Sequence, residues 1–213
     1  MSESSAARQV VIKGPWAAAS REPERATTDA DLFALLREDL PRGAAKVHDR
    51  FAGEVNRLVW HLLGADVDHH DLVQQVFCKV LMHAPKLRDP ERFGAWVQAV
   101  TVNTVYEELR KREVRRLFQR DRPPSFHPDL SHDVEVRDLL ARAKSVLEQL
   151  SPKDRIVFVL HFVEGRTLSE VAELCGYSLA TGKRRLASAK RRFRLLIAKQ
   201  PELLKLLGEQ EEA

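Results

Sequence analysis

The sequence predicts an all-α fold made of two small helical domains joined by an extended linker. Apolar residues recur in steps of three and four, which is the spacing of one helix face. Capping residues, glycines and prolines interrupt this spacing at intervals typical of helices of ordinary length. Residues 119–132 hold three prolines and show no periodicity. We therefore expect a linker there, between a first domain at residues 29–118 and a second at residues 133–200.

Bulk properties narrow the class of protein. The chain has 213 residues, a hydrophobic fraction of 44% and two cysteines, which suits one large folded domain or two small ones. The cysteines are expected to be buried small hydrophobes rather than a disulfide. No apolar stretch reaches the length of a membrane span, and the first residues lack the pattern of a secretory signal. We expect a cytoplasmic protein without membrane insertion.

The two ends of the chain differ from its middle in composition. Residues 1–28 are rich in Ser, Ala, Arg, Glu and Pro, and this composition predicts a flexible tail. Residues 201–213 begin with a helix-interrupting proline and end in a run of acids. We expect them to form an acidic C-terminal tail that frays.

Local signals place the helix ends of the first domain. One apolar face is made by Val47, Phe51, Val55, Leu58 and Leu62. Gly64 is predicted to end this helix, Asp68 to cap the next one and Pro85 to stop it. The segment Val100–Val105, VTVNTV, has the propensity of a strand. Its helical flanks and the lack of a second strand to pair with it favour a helix.

The second domain carries the clearest functional pattern, over residues 167–197. Thr167 and Glu170 can form a capping box at the start of one helix, and Gly176 suits the left-handed end of that helix. Ser178 can cap the following helix, which is loaded with cations and carries no acid. This pattern is typical of a helix-turn-helix that offers its second helix to DNA. A merely solvated basic helix is the alternative.

The distribution of charge suggests two places where phosphates are neutralised. The formal net charge is only +4, but cations gather in Arg110–Arg122 and Lys183–Lys199. In the first domain the loop Leu87–Arg92 leads into Phe93 and Trp96. Aromatic residues beside a polar loop and a basic cluster suit single-stranded nucleic acid. Both aromatics are alternatively core residues, and we favour the core for Trp96 and a contact for the loop.

Catalytic and metal-binding patterns are weak. The sequence has no HExxH, no Gly-rich phosphate loop and no GxSxG. His69, His70 and Asp71, with Asp66 and Asp68, could chelate a metal, but adjacent histidines at a helix start are usually solvated. We therefore expect a binding protein with no enzyme activity, no cofactor and no metal.

Three segments carry a more specific signal. They are DLVQQVFCKVL at 71–81, LRDPERFGAWVQAVTVNTVYEELRKR at 87–112, and LSPKDRIVFVLHFVEGRTLSEVAELCGYSLATGKRRLASAKRRF at 150–193. In this order, with a proline-rich tether between the last two, they resemble the extracytoplasmic-function sigma factors of the sigma-70 family. In that family the first segment docks on the clamp coiled coil of RNA polymerase. The second melts and reads the minus-ten promoter element, and the third reads the minus-thirty-five element as duplex.

The resemblance implies a function and its partners. The protein is expected to bind core RNA polymerase at its clamp coiled coil and flap, to direct it to promoter DNA and to assist melting. An anti-sigma factor is a further expected partner. The alternative function is a stand-alone helix-turn-helix transcriptional regulator, which predicts tight duplex binding without polymerase.

The resemblance also implies roles for particular residues. Polymerase binding falls on Asp71, Gln74, Gln75 and Lys79. Minus-ten binding falls on Leu87, Arg88, Asp89, Glu91, Arg92, Phe93, Trp96, Asn103, Arg110 and Arg112. Minus-thirty-five binding falls on Ser178, Thr181, Lys183, Arg184, Arg185, Ser188, Lys190 and Arg191.

Several positions depart from the family pattern, including His69, His70, Ala187 and Ser188. Gln75 stands where Glu is usual, Pro90 where a Gly is expected in the loop turn, and Gly182 where a β-branched residue is common. A glycine inside a helix costs about 1 kcal/mol relative to alanine. These departures bear on the promoter that is read rather than on the function.

Overall fold

The computed structural model describes residues 28–64, 68–118, 142–200 and 203, and every regular element among them is helical. The helices are α1 (Asp29–Glu38), α2 (Leu40–Leu63), α3 (His69–His83), α4 (Phe93–Phe118), α5 (142–148), α6 (Pro152–Phe162), α7 (Leu168–Leu174) and α8 (Leu179–Ile197). Short 3-10 turns occupy Ala84–Lys86 and Pro90–Arg92. The predicted all-α fold is confirmed. The predicted linker, and the predicted tails apart from Thr28 and Leu203, lie outside the described residues.

The helix ends of the first half follow local chemistry, with one correction. Thr28 and Asp31 form a capping box at the start of α1, and Gly64 ends α2 with a φ of 78°, as predicted. Asp68 precedes α3 as predicted, but its side chain makes no capping bond. Its backbone lacks the extended conformation that an N-cap needs, with φ −84° and ψ 6°. Its carboxylate instead accepts a bond from Arg112 Nη2 at 3.1 Å.

The ambiguous VTVNTV segment lies inside α4, so the prediction of a helix there is confirmed. Its two threonines are buried, and their hydroxyls donate to carbonyls one turn earlier. Thr101 Oγ1 bonds the Val97 carbonyl at 2.9 Å, and Thr104 Oγ1 bonds the Val100 carbonyl at 2.8 Å. These bonds satisfy the buried hydroxyls, and burial of Val105 in the core outweighs strand propensity.

The helix-turn-helix forms as its sequence predicts. Thr167 and Glu170 make the reciprocal capping box of α7. Gly176 turns the chain with a φ of 65°, a conformation that disfavours any residue with a Cβ. Ser178 Oγ then accepts from the Thr181 N–H at 3.2 Å and starts α8. Three local signals therefore fix the start of α7, the turn and the start of α8.

The two halves of the chain pack against each other. Helix α6 lies against α2 and α4, and α7 lies against α4. Ile156 and Leu160 of α6 belong to the same buried apolar cluster as Val105 of α4. A second cluster, which includes Phe158 and Ile197, holds α8 against α6. The two domains predicted from sequence are thus in direct contact in this structure, while their exact boundaries stay a prediction.

Gly182 offers a test of the packing between α7 and α8. A Cβ at this buried position would lie 3.5 Å from Ala172 Cβ and from Leu168 Cδ1, which is ordinary van der Waals contact. We expect Gly182→Ala to raise the free energy of unfolding by about 1 kcal/mol, because alanine is the better helix former and nothing clashes. Urea denaturation measures the change.

The control for this prediction is Gly176→Ala. No atom lies within 4 Å of a Cβ built there, but the φ is positive, so backbone strain should lower the free energy of unfolding by about 1–2 kcal/mol. A Gly182→Ala protein less stable than wild type would show that α7 and α8 tolerate no added methyl group.

Candidate nucleic-acid and polymerase interfaces

Helix α8 presents a row of exposed cations to solvent, one of which, Lys190, also lies 5.0 Å from the centroid of the Phe162 ring. Lys183, Arg184, Lys190 and Arg191 are exposed, while Leu186 and Ala189 on the opposite side are buried. This separation leaves the cationic face available to phosphates. The structure therefore brings four of the eight predicted minus-thirty-five residues onto one open surface.

The other four of these residues make contacts within the protein. Ser178 Oγ donates to Thr181 Oγ1 at 2.9 Å in the first turn of α8. Arg185 Nη1 bonds Asp154 Oδ1 of α6 at 3.1 Å, and Ser188 Oγ donates to Asp154 Oδ2 at 3.2 Å. The Arg185 guanidinium also lies 5.7 Å from the centroid of the Tyr177 ring. Asp154 was not among the predicted site residues, because it lies 31 positions from Arg185 and no local pattern links them.

The predicted minus-ten loop faces α7 across a cleft. The cleft has a volume of about 510 Å³. From the first half it is lined by Leu87, Arg88, Asp89, Arg92, Trp96 and residues of the following turn of α4. From the second half it is lined by Arg166, Glu170, Glu173 and Leu174. Arg92 forms an ion pair with Glu173 across the cleft, so this predicted DNA contact is engaged by the helix-turn-helix.

Phe93 is a correction to the predicted minus-ten set. Its side chain is 0% exposed and packs edge-on against Phe33 and Phe51. Trp96 is half-buried, stacks on Phe93 with ring centroids 5.8 Å apart, and keeps one side in the cleft. The structure therefore places Phe93 in the core and not on the surface of the loop, a difference that spacing alone could not show for two aromatics three residues apart.

The remaining predicted minus-ten residues differ in their exposure to solvent and in their bonds within the protein. Glu91, Asn103 and Arg110 are exposed. Arg112 is half-buried and bonds Glu108 at 2.9 Å as well as Asp68, so its charge is largely compensated within the protein. Among the predicted minus-ten residues of α4, Asn103 and Arg110 are therefore the ones open to solvent.

The predicted polymerase face of α3 is open for three of its four residues. Asp71, Gln74 and Gln75 are exposed, and Gln74 Nε2 donates to His70 Nε2 at 2.9 Å. Lys79 is half-buried, with its Nζ 2.6 Å from Glu107 Oε2 of α4. Lys79 therefore ties α3 to α4, and the surface left for a partner is acidic and amide-rich.

A buried ion-pair cluster joins the two halves, and no sequence signal pointed to it. Glu164, in the turn before α7, is 3% exposed and accepts from His61 Nδ1 and from Arg57 Nε at 3.3 Å. Burial alone raises the pKa of Glu164, but the hydrogen bond from His61 and the charges of Arg57, His61 and Arg166 lower it below 4.5 on balance. Arg166 also bonds Glu54 of α2 at 3.4 Å. The contact between the halves is therefore ionic as well as apolar.

Two absences hold for the described part of the chain. Within it, no helix is long and apolar enough to cross a membrane. Across the same residues, no three side chains from His, Cys, Asp or Glu gather where they could hold a metal ion.

Comparison with protein families matches both halves of the chain. Residues 47–115 match sigma-70 region 2 and residues 140–193 match sigma-70 region 4. The structure is that of an all-helical protein whose second half contains a helix-turn-helix, and the second helix of that motif, α8, is cationic. The chain belongs to the sigma-70 family of RNA polymerase sigma factors, in its extracytoplasmic-function group. This family consists of transcription initiation factors rather than catalysts.

Individual relatives agree with this placement. The chain is 30% identical to the RNA polymerase sigma-E factor of Streptomyces coelicolor, over 68% of the chain and 81% of that protein. It is 26% identical to SigV of Bacillus subtilis, over 68% of the chain and 84% of that protein. Similarity to the ECF sigma factor SigE of Mycolicibacterium smegmatis, at 28% identity, covers 70% of the chain but only 59% of that protein's length.

Two solved structures share the fold. CnrH, in complex with the cytosolic domain of CnrY, is 22% identical with a TM-score of 0.57, over 81% of this chain and 98% of that one. The sigma factor RpoE of Bartonella quintana, in complex with the anti-sigma factor NepR, is 21% identical with a TM-score of 0.54, over 73% and 97%. At these identities the likeness establishes the helical architecture.

Proposed function

We propose that the protein binds core RNA polymerase through the exposed face of α3, directs the enzyme to specific promoters and assists their melting. The observation that carries this proposal is the placement of three surfaces within one family fold. An open polar face lies on α3, exposed Asn103 and Arg110 lie on α4, and an open cationic row lies on α8. The protein acts in the cytoplasm, beside DNA, by binding rather than by covalent chemistry. An anti-sigma factor is a proposed partner.

The mechanism depends on binding in two places. The cations of α8 neutralise phosphates and hold the helix against duplex, while few side chains select bases. The first half captures unpaired bases at the loop and α4, and so shifts the population of promoters toward the melted state. Because polymerase holds both halves, two weak contacts add through effective concentration.

Run-off transcription with purified core polymerase tests the proposal. The promoter is first selected from a random DNA pool with polymerase present, and the protein is expected to stimulate transcription from it. Changing Lys183 and Arg184 together to alanine should lower promoter affinity and flatten its salt dependence by about two phosphate contacts. Arg37→Ala, which removes an exposed arginine of α1, is the matched control and should leave both unchanged. Failure of the wild-type protein to stimulate any promoter would refute the proposal.

A polymerase pull-down distinguishes the alternative of a stand-alone regulator. Gln74→Ala with Gln75→Ala should weaken capture of core polymerase and abolish promoter-dependent stimulation. If these variants transcribe normally, and the protein binds duplex tightly without polymerase, then the stand-alone regulator is the better description.

A further inference from the structure

Asp154 joins the helix-turn-helix to the helix beneath it. It lies in the first turn of α6, where its N–H donates to Ser151 Oγ at 3.3 Å, and its side chain is 15% exposed. Each carboxylate oxygen has its own partner on α8, Arg185 for Oδ1 and Ser188 for Oδ2. One side chain therefore fixes two residues of the DNA-facing helix.

In the hydrogen bond between Ser188 and Asp154, the donor and the acceptor are fixed by chemistry. An ionised carboxylate only accepts hydrogen bonds, so the Ser188 hydroxyl must donate its single hydrogen to Asp154. The hydroxyl oxygen then has only lone pairs left for any other partner. A serine is otherwise able to donate or accept at a base edge, and here that freedom is removed.

We propose that Asp154 is a positioning residue that fixes Ser188 as a hydrogen-bond acceptor and so sets base preference in the minus-thirty-five element. In the major groove, donors are the amino groups of cytosine and adenine. The base facing Ser188 is therefore one of these two, and the acceptor-only edge of guanine is disfavoured there. This inference rests on the proposed function, because it requires α8 to read duplex DNA.

Arg185 holds the arrangement in place. It donates to Oδ1 from one side while its guanidinium lies near the Tyr177 ring. A guanidinium has donors only. Any polar side chain at position 154 must therefore turn an acceptor atom toward Arg185. This fixes how an amide at position 154 would orient.

Asp154→Asn tests the role of Asp154, because Arg185 can face only the acceptor atom of the amide. Its amide oxygen must face Arg185, which places the amide nitrogen toward Ser188. Ser188 then accepts from the amide, and its hydrogen points away from position 154. We expect the base preference at the contacted position to turn from a donor-bearing base toward an acceptor-bearing one such as guanine, by about two- to tenfold, the range that one hydrogen bond supplies. A purely structural role for Asp154 predicts no such reversal.

The experiment selects promoters from a pool randomised across the minus-thirty-five element, using full-length protein with core polymerase. Wild type, Asp154→Asn, Asp154→Ala, Ser188→Ala and the double variant Asp154→Ala with Ser188→Ala are compared. Asp154→Ala should relax the preference at one position, Ser188→Ala should remove it, and the double variant should match Ser188→Ala. Thermal unfolding of each variant verifies the fold.

Two failures are distinguishable. If wild-type holoenzyme selects no promoter, the proposed function fails and this inference fails with it. If wild type selects a promoter but folded Asp154→Asn and Asp154→Ala proteins give the wild-type base profile, only the role of Asp154 is overturned. A changed profile that is additive with Ser188→Ala would also overturn it, since Asp154 would then act through another residue.

Discussion

Glu164→Ala is expected to lower the free energy of unfolding by about 3 kcal/mol. Removing one partner of a buried ion pair costs about 3–5 kcal/mol, because the other charge is left uncompensated. The lower end applies here, since Arg57 is 39% exposed and can regain water. Urea denaturation at neutral pH measures the loss. Small-angle scattering should show a larger radius of gyration, because the cluster joins the two halves of the chain.

The matched control is Glu173→Ala. Glu173 also pairs across the two halves, with Arg92, but its side chain is 60% exposed. Exposed pairs contribute about 0–1 kcal/mol, so this variant should stay close to wild type in stability. Equal losses in the free energy of unfolding for both variants would show that burial of the Glu164 cluster adds no stability beyond that of an exposed ion pair.

The pH dependence of the Glu164 contact has a definite sign. The pKa of Glu164 in the folded protein lies below its usual 4.5, so the unfolded state binds the proton more readily. The stabilisation is therefore fully present above about pH 5 and is lost as the pH falls through the folded pKa. Glu164→Gln does not titrate, so its stability gap to wild type should shrink in that acid range. A gap independent of pH would contradict the assignment.

The contact between the halves also bears on the proposed function. Promoter elements at minus ten and minus thirty-five are about 25 base pairs apart, or roughly 85 Å of B-DNA at about 3.4 Å per pair. On the proposed function, we expect that halves in contact do not span this distance and that the contact opens when promoter is bound. Its free energy then opposes promoter binding. If Glu164→Ala remains folded, it should therefore need less protein for half-maximal transcription.

Sequence was a good guide wherever the cause of structure is local. Thr167, Gly176 and Ser178 define the helix-turn-helix through bonds that span only a few residues, and all three were predicted correctly. The prediction of a helix for the VTVNTV segment was also correct, although propensity alone favoured a strand. There the decisive evidence was the helical pattern on both sides.

Sequence was a poor guide wherever the cause is a distant partner. Glu164 and His61 lie 103 positions apart, and Asp154 meets Arg185 only because α6 and α8 pack together. The sequence showed that Phe93 is an aromatic residue next to a loop, but its burial depends on contacts with Phe33 of α1 and Phe51 of α2. Asp68 was placed correctly yet bonds Arg112 of α4 instead of its own helix. In each case the missing information was which helices touch.

The second large effect is expected at Gly43, where α2 crosses close to α1. A Cβ at this position would lie 2.4 Å from Leu36 Cα and 2.7 Å from Leu36 N. Both are backbone atoms, so no side-chain rotation relieves the overlap and α1 must move. Although alanine favours the helix by about 1 kcal/mol, we expect Gly43→Ala to lower the free energy of unfolding by about 1–3 kcal/mol.

Gly53→Ala on the same helix is the matched control. Gly53 is exposed, and no atom lies within 4 Å of a Cβ built there, so helix propensity alone should raise stability by up to about 1 kcal/mol. Opposite signs for the same substitution on α2 would separate packing from propensity. A Gly43→Ala protein as stable as the control would mean that α1 shifts without loss.

The position of α1 matters beyond stability, because it supports the start of α4. Asp29 Oδ2 accepts from the Gly94 N–H at 2.6 Å, directly after the loop proposed to meet the minus-ten element. Displacing α1 by a methyl group at Gly43 would move this carboxylate away from the first turn of α4. Gly43→Ala should therefore reduce promoter melting, measured by permanganate reactivity of unpaired thymines, more than it reduces capture of core polymerase through α3. Equal losses of both would indicate general unfolding rather than displacement of the loop.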